Sequence, residues 1–190
     1  MPSLVTFPTA ALVALVVLIS IAVGNDLRAS RIPNRLVLFG LLLAVLAHAA
    51  ALLAGQQPLA GSAAWSCFAG ALVGGAALLP LYLLRACGAG DVKLMAMVGA
   101  FVGTSVVLSA VLYTLVAGGV LSLAVMALRG VTSQTLANLR FLLTDWGQRA
   151  TTGQGLRMAP LATTAARLPY AVAIAAGTLV ALLRPLPLLG

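Results

Sequence analysis

The chain has 190 residues, of which 62% are hydrophobic and 7% charged, where an ordinary soluble protein carries about a quarter charged residues. So few charges cannot cover the surface of a soluble domain, and the composition is that of a polytopic membrane protein. The net charge of +8 does not point to nucleic acid, because the cations form neither a groove nor a basic helix and aromatic residues make up only 5%.

A membrane-crossing helix needs about 20 apolar residues, and the charges mark where such runs stop. Residues 4–23 form the first. Nothing in residues 1–25 is charged, so the basic n-region of a signal peptide is missing and this segment is expected to remain as a span. Asp26, Arg28, Arg31 and Arg35 follow in a short polar segment, "NDLRASRIPNR". Within it Ile32, Pro33 and Asn34 predict a turn: proline stops the first helix and asparagine can cap the next.

Residues 36–84 contain no charge, too long a stretch for one span, and "AGQQPLAGS" at 54–62 divides them into spans near 36–53 and 64–84. Cys67 and Cys87 lie near opposite ends of the latter, about 30 Å apart along a helix, far outside disulfide reach. A second charged loop covers 85–93. The uncharged run 94–128 is long for one span and short for two. "VGTS" at 102–105 is the natural turn, giving a short fourth and a full fifth helix, with one long tilted helix as the alternative.

Residues 129–167 are the extended hydrophilic stretch. Leu136, Leu139, Leu143 and Trp146 recur at helical spacing around Arg140 and Asp145, the pattern of a helix lying on the membrane or packed on the protein. Residues 168–183 make a last, short span. The expectation is an all-α bundle of about six transmembrane helices forming a single domain over 1–190, with a loop at about 129–167. With six spans, ten of the eleven cations fall on one side, leaving only Arg184 opposite. The positive-inside rule makes that side cytoplasmic.

Three residues are acidic, and none is a glutamate. Asp26 closes the first span and Asp91 opens the fourth, so an even number of crossings puts both at the same membrane boundary. Carboxylates at such a depth are costly and usually face the bundle interior with a functional role. Two of them sharing a site, a proton and a bound water can attack a peptide bond by general acid–base chemistry, with neither metal nor covalent intermediate. Gly88 and Gly90 would let an extended substrate backbone approach Asp91. Lys93 could tune the pair or hold an acidic substrate group. Each has a plainer reading: Asp91 as N-cap of a helix beginning at Val92, Asp26 as helix-end polarity paired with Arg28, Lys93 as a snorkelling boundary cation. Asp145 sits in the hydrophilic loop, where solvation accounts for it. One histidine and two cysteines give no zinc site, and no cofactor is expected.

"GAGDVKL" at 88–94, preceded by Asp26 six residues before "IPN", resembles the type IV prepilin peptidase family, membrane aspartic proteases of the bacterial inner membrane. "GAFVG" at 99–103 and "RLPYAVAIAAG" at 167–177 look familial too. The resemblance implies a six-span bundle of the GxGD type in which Asp26 and Asp91 cut the basic leader from prepilin or pseudopilin precursors at the cytoplasmic membrane face. Bifunctional members also methylate the new N-terminus and carry a cytoplasmic insertion with paired C-x-x-C motifs. Only about a dozen residues separate the first two spans here, so methylation is not implied, and the compact form is similar to the peptidases of Flp/Tad-type pili. Presenilin-like proteases share G-x-G-D, but their other aspartate follows a tyrosine, where Asn25 stands here. The competing classes are a proton-coupled transporter, for which His48 is the one ionisable residue within a span, and a non-catalytic scaffold packed through Gly70/Gly74 and Gly99/Gly103.

Overall fold

The computed structural model describes residues 7–84, 86–129 and 170–186. These residues are all-helical, with no strand among them. In chain order the helices are α1 (Phe7–Ala29), α2 (Asn34–Leu53), α3 (Ser66–Leu83), α4 (Ala89–Arg129) and α5 (Tyr170–Leu183). Four are long and apolar enough to cross a bilayer: Pro8–Ala29, Asn34–Leu53, Ser66–Leu83 and Ala89–Leu128. At 14 residues, α5 spans roughly 21 Å, short of a hydrocarbon core of about 30 Å. Described residues up to Gly118, together with α5, form one compact unit, and the rest of α4 belongs to a second.

The long α4 is not one rod. Gly103 has φ 77° and ψ −179°, which breaks the helix into limbs 89–102 and 104–129. That backbone region is nearly restricted to glycine, so the division expected at "VGTS" falls on the residue able to make it. The limbs lie against a common neighbour: the open side of Gly74 in α3 faces the carbonyl of Met95 before the break and Val107 after it.

Lipid tails are as apolar as leucine, so helices in a bilayer associate through close packing and not through the hydrophobic effect. The α3–α4 seam follows that rule. Gly70 packs on Gly99 and Gly103, backbone against backbone, where no side chain would fit. The glycine pairs read from the sequence as packing faces therefore meet one another. Around the seam lies a core of Leu15, Leu18, Leu78, Leu94, Met95, Met97, Val98, Phe101, Val107 and Ile174. Leu38, Phe39, Leu42, Leu46 and Leu72 point outward, an apolar exterior suited to lipid and not to water.

Residues 104–118 of α4 run antiparallel to α5. Tyr170 rests against Gly118, Gly177 against Ala110 and Thr114, and the Leu186 N–H donates to the Ser109 hydroxyl at 3.0 Å. Tyr113 Oη donates to the Arg184 carbonyl at 3.2 Å. On the other side, α1 packs on both α2 and α5. His48 sits in α2 with Nε2 at 3.1 Å from the Ala63 carbonyl, a packed and hydrogen-bonded histidine.

Several boundaries differ from the sequence reading. The first helix continues through Asn25, Asp26 and Arg28 to Ala29, so the polar segment is mostly helix. Helical hydrogen bonding does not require apolar side chains, and the apolar run alone underestimates its length. The fourth helix begins at Ala89, which places Lys93 inside it and not in a loop. Pro33, extended at φ −63° and ψ 129°, takes the N-cap position of α2 without a side-chain cap bond, and Asn34 is the first helical residue. The amphipathic pattern at 136–146 lies outside the described residues, as does the start of the last expected span at Leu168.

Candidate active site

Asp26 lies in the last turn of α1, where its backbone carbonyl accepts the Ser30 N–H at 2.8 Å. Its side chain is 9% exposed, and a carboxylate so placed needs a partner. The partner is remote: Oδ2 accepts the backbone N–H of Ala171, in the first turn of α5, at 3.2 Å. First-turn amides have no acceptor within their own helix, so an orphan donor and a buried acceptor satisfy each other across the bundle. Arg28 is exposed, and among the described residues Asp26 forms no ion pair with it.

Asp91 is 8% exposed and is the third residue of α4. Its Oδ2 accepts the N–H of Gly88 at 2.8 Å. Gly88 is thus the cap residue and Asp91 reaches back to it, the acidic half of a capping box. This corrects the expectation of Asp91 as N-cap of a helix starting at Val92: the helix starts earlier, and the carboxylate faces backwards along it. Negative charge in a first helical turn also suits the helix dipole.

Asp26 and Asp91 lie at the same end of the bundle, each within range of the other's charge. Cys87 and Tyr170 belong to the same neighbourhood, each within range of the Asp91 charge. Burial, aided by the Asp91 carboxylate, pushes the Cys87 thiol up to about 11, so at neutral pH it is an uncharged thiol. Cys87 and Cys67 are both free.

The "IPN" turn is docked onto the "GAGDVK" segment. A methyl built on Gly90 would stand 3.2 Å from Ile32 Cβ, so Ile32 already fills the side of Gly90 that the sequence reading left open for substrate. Lys93 Nζ donates to Asn34 Oδ1 at 3.0 Å on the exposed rim. Pro33 sets the entry to α2 between these contacts. The contacts of Ile32 with Gly90 and of Asn34 with Lys93 therefore join the two aspartate-bearing segments. A methyl on Gly88 would lie 3.4 Å from Asp91 Oδ2, ordinary contact distance, so the part Gly88 plays here is its N–H.

Two participants were not singled out from the sequence. Ala171 acts through a backbone N–H, which every residue but proline has, so no side-chain pattern could mark it. Tyr170 stood in the familial "RLPYAVAIAAG" segment, but nothing there fixed its place. Among the described residues no group of three or more His, Cys, Asp or Glu side chains could hold a metal ion.

A sequence model of the type IV leader peptidase family matches residues 12–123, more than half of the chain. The chain belongs to that family. The match includes Asp26 and the whole "GAGDVKL" segment, and ends before α5. No curated protein and no solved structure matches the chain at a significant level. Family membership makes this leader-peptidase chain a membrane-embedded peptidase, in keeping with its apolar helices.

Proposed function

We propose that this protein is an aspartic endopeptidase that removes the basic leader from type IV prepilins, of the Flp/Tad class, at the cytoplasmic face of a bacterial inner membrane. The chain crosses the bilayer six times, α4 contributing two crossings through the Gly103 break and α5 the last. Asp26 and Asp91 are the catalytic pair. One carboxylate takes a proton from a water held between them, and the oxygen attacks the scissile carbonyl carbon. The other carboxyl gives its proton to the amide nitrogen as the carbon–nitrogen bond breaks, leaving a new carboxylate and a new amine. The substrate's apolar helix lies laterally against the bundle, with its leader on the cation-rich side.

The single observation that supports this reading is that two carboxylates, from the end of α1 and the start of α4, are both buried at one end of the bundle, each within range of the other's charge. Family membership supports the class of reaction. Lipid and precursor are the partners, with no cofactor or metal in the chemistry and no nucleic acid bound.

Co-expression with a pilin precursor tests it, leader removal being read as a mobility shift on gels. Asp26→Asn and Asp91→Asn should each abolish processing, and Asp145→Asn should leave it nearly intact. Processing that persists in the Asp91→Asn protein would remove the two-aspartate mechanism.

A further inference from the structure

We propose that the first turn of α5 is a positioning element of the peptidase site, acting through the backbone N–H of Ala171. The proposal rests on the leader-peptidase reading above and extends it to a helix that the family match does not cover.

The need for such an element follows from where Asp26 sits. In the last turn of a helix, neighbouring N–H groups are consumed by intrahelical bonds, and the unpaired groups nearby are carbonyls, which repel a carboxylate. Asp26 therefore has no donor of its own. Asp91, in the first turn of α4, is supplied locally by Gly88. The bond from Ala171 to Asp26 Oδ2 gives Asp26 the same support from 145 positions away. Both carboxylates are then held through Oδ2 by one backbone amide, and among the described residues no hydrogen bond engages either Oδ1.

The donor is itself well placed. Ala171 is fully buried, the ring of Tyr170 beside it lies on Gly118, and Gly177 packs against Thr114. At the far end, Leu186 is tied to Ser109. These contacts fix both the height and the rotation of α5, and with them the direction of the Ala171 N–H. Asp26 loses side-chain freedom on the enzyme before substrate arrives, which is what a site that activates water by geometry requires.

Proline is tolerated in the first turn of a helix and has no N–H, so Ala171→Pro deletes the donor, while Ala171→Ser keeps it at similar size. The probe is a synthetic precursor with a basic leader followed by an apolar helix, incubated with the purified full chain in detergent. Ala171→Pro should lower kcat roughly 10- to 100-fold, the effect of losing a hydrogen bond to a charged group. KM should stay nearly constant, and Ala171→Ser should cleave close to the starting level. If the proline variant does not fold, exchanging the residue-171 amide for an ester replaces N–H by oxygen without added bulk, and the same fall in kcat is expected. A folded proline or ester variant with unchanged kcat would overturn the proposal while leaving the peptidase reading intact. A starting protein that cleaves no precursor would sink that reading, and this inference with it.

Discussion

The break at Gly103 decides whether residues 104–118 of α4 return to the first limb's neighbour α3 and offer Gly118 and Thr114 to α5. Replacing Gly103 by alanine tests it. At φ 77° and ψ −179° an alanine sits in a region that costs of order 1–3 kcal/mol. Alanine also restricts the unfolded chain, offsetting about 0.4–1 kcal/mol of that strain. The added methyl would further stand 2.9 Å from the Ala60 carbonyl carbon and 3.1 Å from its Cα. Those are backbone atoms, which cannot swing aside as a side-chain tip can, so the 54–65 connection must shift as well. The net expectation is a loss of about 1–3 kcal/mol. Gly24→Ala serves as the opposite case: it lies within α1 with nothing inside 4 Å of a built methyl, and alanine there should stabilise by up to about 1 kcal/mol. Reversible unfolding in mixed micelles, followed by circular dichroism, compares the two. A Gly103→Ala protein as stable as its parent, with Gly24→Ala behaving as expected, would mean the break is not held by glycine.

Two further outcomes follow from the site. The Cys87 thiol, pushed up to about 11, should react with iodoacetamide about 100-fold more slowly at pH 8 than an ordinary thiol near pKa 9, since only the thiolate attacks. Its rate should keep rising about tenfold per pH unit past pH 9, where an ordinary thiol levels off, and a plateau at pH 9 would contradict the burial described here. Lys93→Met and Asn34→Ala each remove one exposed hydrogen bond, so each should cost no more than about 1 kcal/mol of stability. The double variant should cost less than the sum of the two, because both act on one contact; strictly additive losses would show that the contact carries no energy.

The sequence by itself determined that this is a membrane protein, where most spans run, and which two carboxylates merit notice. Those conclusions need only hydropathy, charge position and the spacing of "IPN" and "GAGDVKL", all local properties of the chain. It also located the break in the long apolar run, because "VGTS" contains the residue type that a sharp reversal demands. Helix ends were harder to read: Asn25, Asp26 and Arg28 are polar, yet backbone hydrogen bonding carries α1 through them, and α4 begins before its first charge. Glycine roles were harder still. Gly90 looks like open space until Ile32 is seen to fill it, and Gly70 and Gly99 are unremarkable until their backbones touch. The support for Asp26 was beyond sequence altogether. An amide from the opposite end of the chain, indistinguishable from any other amide until the helices pack, supplies a carboxylate that its own helix leaves without a donor.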